Sequence, residues 1–172
     1  MSPSRALHVL VASSLALTCA CAPGRPPQPA RSEPGDSITT IQLLAINDLH
    51  GNLEPPTGQN GLVNQTQAGG AAYLAAHLAR AVARNPNSLL VGAGDLVGAS
   101  PLLSGLLHDE PTIEALNAMH LAVSAMGNHE LDEGQAELQR MQGGGCHPVD
   151  GCRGSQPFAG ARFQYLAANV VR

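Results

Sequence analysis

The stretch Ala45-Ile-Asn-Asp48-Leu-His50-Gly51 decides the fold, because it ends an apolar strand and exposes polar side chains at one point. The strand is predicted from the apolar residues between positions 41 and 44. In an extended segment residues i and i+2 point to the same side, so Asp48 and His50 can face one ion. Aspartate and histidine at a strand end are suitable ligands for a divalent metal. The alternative is a surface loop in which the aspartate caps a turn and the histidine is solvated.

The same pattern occurs twice more along the chain. The apolar run 88–93 ends at Gly94 and is followed by Asp95, and the run 121–126 is followed by Gly127-Asn128-His129-Glu130. Open α/β sheets place ligands outside the carboxyl ends of their strands. The three strand ends therefore predict one polar cluster, although Gly-Asp and Gly-Asn are also ordinary turn dipeptides.

Helical patterns separate these strands. The 4-residue spacing of Leu74, Leu78 and Val82 predicts a helix over 71–84. A second helix is expected after Asp109, which is placed to cap it, and a third over 133–142. The segment 96–108 is read as irregular, and a fourth strand is predicted from residue 163. Strands that alternate with helices indicate an α/β fold with a largely parallel sheet.

The three strand-end motifs resemble the first three motifs of the calcineurin-like metallophosphoesterases. The run Ser100-Pro-Leu-Leu-Ser-Gly105 and the stretch 127–134 are similar to the bacterial 5′-nucleotidase and 2′,3′-cyclic-nucleotide phosphodiesterase branch of that family. The resemblance covers residues 38–172. It implies a four-layered αββα sandwich, of which this chain would form the first half.

The resemblance also implies two divalent metal ions, with zinc, manganese, cobalt and magnesium left open. Asp48 and His50 match ligands of the first ion, Asn128 matches a ligand of the second, and Asp95 matches the carboxylate shared by both. A water held between two such ions is deprotonated near neutral pH and can attack phosphorus.

His129 matches the family's catalytic histidine and Asp132 its partner, which would hold the ring protonated. A third metal ligand and a solvated turn residue are the alternatives for His129. Glu130 receives no role from the sequence. The implied activity is hydrolysis of nucleotide or other small phosphate esters.

The family completes its metal site with later histidine motifs and often adds a C-terminal nucleotide-binding domain. The other histidines of this sequence lie outside Gly-His-x-His settings. We therefore expect a fragment with little activity of its own. The rival hypothesis is a non-catalytic exported lipoprotein, a remnant or a binding module.

The N-terminus predicts export. Residues 1–21 read as a lipoprotein-type signal peptide with Cys21 as the lipidated residue, Cys19 as the second choice, and plain cleavage near Ala20 or Ala22 as the alternative. Residues 22–37 are Pro-rich and form a tether before a domain over 38–172. A periplasmic protein whose membrane contact is a lipid anchor is expected.

Composition and cysteine spacing add two expectations. Charged residues make up 13% of the chain, the net charge is −4, and no basic run occurs, so a duplex nucleic-acid partner is not expected. Cys146 and Cys152 flank a short Pro- and Gly-containing loop, which predicts a disulfide in an exported protein. A zinc site using these cysteines and His147 is the competing hypothesis.

Overall fold

A computed structural model describes residues 38–153 and 156–170. The predicted signal peptide, both candidate lipidation cysteines and the tether lie outside the described residues. In chain order the helices and strands are β1 (Gln42–Ile46), β2 (Leu62–Val63), β3 (Thr66–Gln67), α1 (Ala71–Arg84), β4 (Ser88–Gly92), α2 (Leu102–Gly105), α3 (Glu110–Ala118), β5 (Val123–Ala125), α4 (Gln135–Gly143) and β6 (Gln164–Leu166).

The main sheet has four parallel strands in the order β1-β4-β5-β6. Each connection moves one strand along the sheet through a helix, and such crossovers are right-handed, which places the helices on the same face. The core agrees with helices on one face, because α3 and α4 contribute buried members to the cluster that covers it and Leu78 of α1 packs against that cluster. Its buried members are Leu90, Leu96, Val97, Ile113, Leu116, Leu121, Met141, Phe158 and Phe163.

The opposite face of the sheet is apolar and exposed within the described residues. Strand alternation turns Leu44 and Leu90 to the core, whereas Leu43 and Leu89 are 63% and 44% exposed. Leu166 on β6 extends this face and is 57% exposed. The described chain thus has one helix layer on one sheet.

The parallel α/β fold expected from the sequence is confirmed, and helix α1 has its predicted bounds. Two features were missed: the hairpin β2–β3 and the short helix α2. The prediction that Asp109 stands at the start of α3 is confirmed, although its side chain makes no capping hydrogen bond. Asp109 occupies the N-cap position, but its carboxylate bonds to Gly98 and Ser104 instead. Among the described residues, no helix has the length and apolar character needed to cross a membrane.

Candidate metal centre

The loops after β1 and β4 run side by side and bring three predicted ligands together. The N–H of Asp48 donates to the Gly94 carbonyl at 3.2 Å, and the N–H of His50 donates to the Asp95 carbonyl at 3.1 Å. These bonds continue the pairing of two parallel strands beyond their ends. As a result, ligand atoms of Asp48, His50 and Asp95 all lie within 4.8 Å of one another.

The imidazole of His50 has a fixed tautomer. Its Nδ1 lies 2.9 Å from the carbonyl oxygen of Gly98. A carbonyl only accepts, so Nδ1 carries a proton, and in the neutral ring Nε2 is then the nitrogen with the lone pair. Nε2 faces Asp48, with 3.8 Å between Nε2 and Oδ1. Metal-binding histidines are commonly oriented in this way, through a bond from the second ring nitrogen.

The backbone at the three predicted ligands lies in the left-handed region. The φ angles are +49° at Asp48, +45° at His50 and +52° at Asp95. Such angles are uncommon outside glycine, and strained conformations concentrate at functional sites. Three neighbouring cases at the same sheet edge are consistent with the candidate site predicted there.

The loop after β5 approaches the first two through glycine. A Cβ on Gly127 would lie 2.2 Å from Oδ1 of Asp95, and one on Gly94 would lie 2.7 Å from the Gly127 nitrogen. Since Cβ atoms do not approach so closely, these positions require glycine for contact between the loops. The glycines of the Gly-Asp and Gly-Asn dipeptides therefore allow the two loops to pack closely, in addition to forming turns.

Glu130 holds the loops together, a role that the sequence did not indicate. Its side chain is buried, and the residue is 5% exposed. The carboxylate accepts the N–H groups of Asp95 at 3.0 Å, Leu96 at 2.9 Å and Gly127 at 2.6 Å. A buried acid satisfied by main-chain donors has no periodic sequence signature, and only its place after His129 could have drawn attention to it.

His129 and Asp132 form the predicted pair. His129 Nδ1 lies 2.8 Å from Asp132 Oδ2. This bond raises the pKa of His129, and the same bond lowers the pKa of Asp132. The His129 ring packs edge-on against His50 with 4.8 Å between centroids. Its Nδ1 is engaged by Asp132, so Nε2 is the nitrogen open to a substrate or an ion.

Asn128 stands in the same turn, next to the predicted ligands. The N–H of His129, which follows it, donates to Oδ1 of Asp95 at 3.0 Å. Asn128 itself is exposed. The structure thus brings all six predicted metal-site and catalytic residues to one sheet edge.

The donor set fits a divalent metal. Carboxylate oxygens and an imidazole nitrogen with a free lone pair suit zinc, manganese and cobalt, and the oxygens alone suit magnesium. The orientation of His50 by Gly98 supplies the outer support that metal ligands normally have.

A second histidine cluster surrounds the Cys146–Cys152 loop. His108 Nδ1 bonds to Glu133 and its Nε2 to Asp150, each at 2.8 Å, while His147 stacks on His108 with rings 3.8 Å apart and 9° from parallel. Ring nitrogens bind metals in the ring plane, so two stacked parallel rings cannot share one ion well. We interpret the cluster as a charge-assisted hydrogen-bond network.

The cysteine sulfurs are placed in a disulfide, with Cα atoms 4.4 Å apart. This separation is at the short end of the usual range for disulfides. Sulfurs joined in this way are not zinc ligands, so the structure favours the disulfide over the competing zinc hypothesis.

The model of the calcineurin-like phosphoesterase family matches residues 41–163. The chain belongs to the calcineurin-like phosphoesterase family. The match spans all three strand-end motifs, and the family normally binds divalent metals.

Relatives of this phosphoesterase chain include nucleotide-processing proteins. A Yersinia enterocolitica 2′,3′-cyclic-nucleotide 2′-phosphodiesterase/3′-nucleotidase is 30% identical over 145 residues, which are 76% of this chain and 18% of that protein. A Listeria monocytogenes cell wall protein is 40% identical over 76% of this chain and 18% of its own length. An uncharacterised Acinetobacter calcoaceticus protein, encoded in a pqq-V 5′ region, is 44% identical over 78% of this chain and 72% of its own length.

Among solved structures, the NAD nucleotidase of Haemophilus influenzae resembles this phosphoesterase chain with a TM-score of 0.51 and 29% identity. The match covers 58% of this chain and 18% of that one. The resemblance to nucleotidases and cyclic-nucleotide phosphodiesterases predicted from the sequence is therefore confirmed. The chain spans less than a fifth of both nucleotide-processing proteins.

Proposed function

We propose that this chain carries metal ligands and a histidine–aspartate pair of a two-metal phosphoesterase site that hydrolyses phosphate esters of nucleotides. The observation that carries the proposal is the convergence of Asp48, His50 and Asp95 within 4.8 Å, beside a histidine–aspartate pair. Family membership supports the reaction class.

In this proposal Asp48, His50 and Asp95 hold the first ion, and Asp95 and Asn128 contribute to the second. Two divalent ions, when bound, would neutralise negative charge on the phosphate group and lower the pKa of a bound water molecule. The chain's residues preset this arrangement: Gly98 orients His50, and the His129 N–H and Glu130 fix the position of Asp95.

His129 acts as the proton donor or cationic stabiliser at the leaving oxygen. Asp132 holds Nδ1 and keeps the ring protonated, which leaves the Nε2 proton for the phosphoryl or leaving oxygen. The edge-on packing of the His129 ring against His50, a proposed metal ligand, supports this role.

The substrate class and the compartment are proposed on separate grounds. The Yersinia and Haemophilus proteins are named for nucleotide substrates, which favours a nucleotide or another small phosphate ester. The apolar leader, the Pro-rich segment and a relative named as a cell wall protein favour export, with Cys21 as the lipid anchor.

Metal binding and hydrolysis test the proposal together. Calorimetry with Mn²⁺ should find one ion bound to the purified chain, and Asp95→Ala and His50→Ala should abolish binding. Asp150→Ala, in the second histidine cluster, is the matched control and should bind as the wild type does. Binding that persists in Asp95→Ala would overturn the proposal.

Turnover of a chromogenic phosphodiester and a 5′-mononucleotide should be low, because among the described residues we assign the second ion two protein ligands, Asp95 and the weakly coordinating Asn128. Any turnover should disappear in Asp95→Ala. If the chain binds the 5′-mononucleotide without metal and does not hydrolyse it, the rival hypothesis of a non-catalytic exported lipoprotein is favoured.

A further inference from the structure

The segment Val97–Ser100, which we call the bridging loop, enters the proposed function only through the Gly98 carbonyl, and it leads into the distinctive run Ser100-Pro-Leu-Leu-Ser-Gly105. It lies between the two parts of the site. The Gly98 carbonyl accepts from His50 Nδ1 at 2.9 Å, and the Ala99 N–H donates to Asp132 Oδ2 at 3.2 Å. One loop thus contacts both a predicted metal ligand and the partner of His129.

The buried carboxylate of Asp109 accepts a hydrogen bond from the bridging loop. Asp109 is 7% exposed, and its Oδ2 accepts the N–H of Gly98 at 2.9 Å. Its Oδ1 accepts the hydroxyl of the fully buried Ser104 at 2.6 Å, and Ser104 Oγ lies 2.6 Å from Thr112 Oγ1. The carboxylate therefore has fixed partners on both oxygens, and one of them is the residue that orients His50.

The packing around these bonds leaves little room for movement. A Cβ on Gly98 would lie 2.4 Å from the His129 carbonyl, and one on Gly51 would lie 2.9 Å from Oδ1 of Asp109. Asp109 has a left-handed φ of +58°, an unusual conformation at a helix start. A shift of Gly98 would therefore be transmitted directly to His50 and His129.

We propose that Asp109 is a positioning residue for the metal centre, which it reaches through the Gly98 peptide. Its carboxylate fixes this peptide, and the Gly98 carbonyl in turn fixes the ring orientation and Nδ1–H tautomer of His50. The inference rests on the proposed function, because it assumes that His50 is a metal ligand.

The test uses three variants of the full chain and Mn²⁺ calorimetry. Asp109→Ala leaves the Gly98 N–H without its acceptor and should weaken Mn²⁺ binding roughly 10-fold or more, as loss of outer support does at other metal sites. Asp109→Asn keeps an oxygen for Gly98 and can turn its amide to Ser104 Oγ, so it should restore most of the affinity.

Ser104→Ala is the matched control, because it removes the other partner of Asp109 and leaves the Gly98 bond intact. It should lower the free energy of unfolding and bind Mn²⁺ as the wild type does. If Asp109→Ala and Ser104→Ala weaken binding equally, or if neither weakens it, Asp109 has only a structural role and the inference is wrong.

A second measurement does not depend on how the variants fold. Nitrogen-15 NMR of the wild-type chain without metal should show neutral His50 protonated at Nδ1, and an Nε2–H tautomer would overturn the inference. Failure of the proposed function gives a different result: wild-type Mn²⁺ binding would then be absent, or insensitive to His50→Ala.

Discussion

Glu130 shows how one buried side chain can set the geometry of a site that it does not enter. Its two oxygens accept three main-chain N–H groups from two loops, and two of these groups belong to Asp95 and its neighbour Leu96. Buried donors without acceptors are costly. The carboxylate thus stabilises a loop conformation whose own backbone angles are unfavourable.

Replacing this carboxylate should be destabilising. In Glu130→Gln, the amide NH₂ must face at least one main-chain N–H, so a hydrogen bond is replaced by two opposed donors. We expect the free energy of unfolding to fall by about 2–3 kcal/mol, measured by urea titration. Glu114→Gln, on the exposed side of α3, is the control and should be neutral. Equal stability of both variants would contradict this account of Glu130.

Between elements, His108 joins the loop 146–153 to the segment that follows His129. It lies just before α3, and its two ring nitrogens bond to Glu133 and Asp150. Carboxylates only accept, so both nitrogens must be protonated and the ring is an imidazolium. The ring of His147 stacks on this ring. The guanidinium of Arg153 and the carboxylate of Glu137 are the other charged groups near it.

This network predicts a pH-dependent stability. Burial lowers the pKa of His108, but the bonds to Asp150 and Glu133 outweigh it and raise the pKa above 6.5. A raised folded-state pKa gives stability that is present below 6.5 and is lost as pH rises through the raised value. Asp150 has a lowered pKa, chiefly from its bond to His108, and loses its contribution only at acid pH.

Urea unfolding at a series of pH values from 6.5 upward should show the free energy of unfolding falling as the pH rises. His108→Gln should flatten the dependence over this range, and His77→Gln, on the exposed side of α1, should leave it intact. A wild-type stability that does not change as pH rises, or the same slope in His108→Gln, would show that the imidazolium does not contribute.

The neighbouring disulfide should form in the exported protein. The cysteines close a small loop, and removal of the bond should cost about 2 kcal/mol, since closure of a short loop restricts the unfolded chain only moderately. Mass spectrometry of a non-reduced digest should find Cys146 linked to Cys152. Free thiols, or a zinc ion lost on chelation, would disprove the pairing.

At the scale of the whole molecule, the open sheet face has consequences for solution behaviour. Leu43, Leu89 and Leu166 form an exposed apolar surface, and β1 is an edge strand within the described residues. Such edges and patches promote association. In the four-layered arrangement expected from the sequence, a second sheet would cover this face.

We therefore expect the isolated chain to self-associate. Light scattering coupled to size exclusion should show a mass that grows with concentration. The double variant Leu43→Thr/Leu89→Thr keeps good strand formers and should shift the distribution toward monomer. Val149→Thr, on the loop 146–153, is the control, because Val149 is exposed away from the sheet. If the chain is monomeric at all concentrations, the prediction that the exposed sheet face drives self-association is wrong.

Membrane attachment is the other whole-molecule prediction. Cys21 follows a small residue and precedes the Pro-rich tether, as expected for a lipidated cysteine. A fatty-acid probe should label the wild type and not Cys21→Ser. Equal labelling of both would assign the lipid to Cys19, and no labelling of either would end the lipoprotein hypothesis.

The sequence by itself determined the parallel α/β fold, the helix over 71–84 and the six residues of the proposed centre. The fold and the clustering of the strand-end residues follow from local rules, since apolar runs predict strands and a parallel sheet gathers the strand ends at one edge. Asp132 and the roles of Asn128 and His129 came from the family resemblance. The tertiary structure alone decided the roles of Glu130, Asp109 and His108. Their partners lie 3 to 42 residues away; those of Glu130 are main-chain N–H groups, and so is Gly98, which bonds to Asp109. Main-chain partners of this kind produce no periodic pattern in the sequence, because almost every residue has an N–H group. Only the packing of the loops determines which N–H group bonds to a given carboxylate.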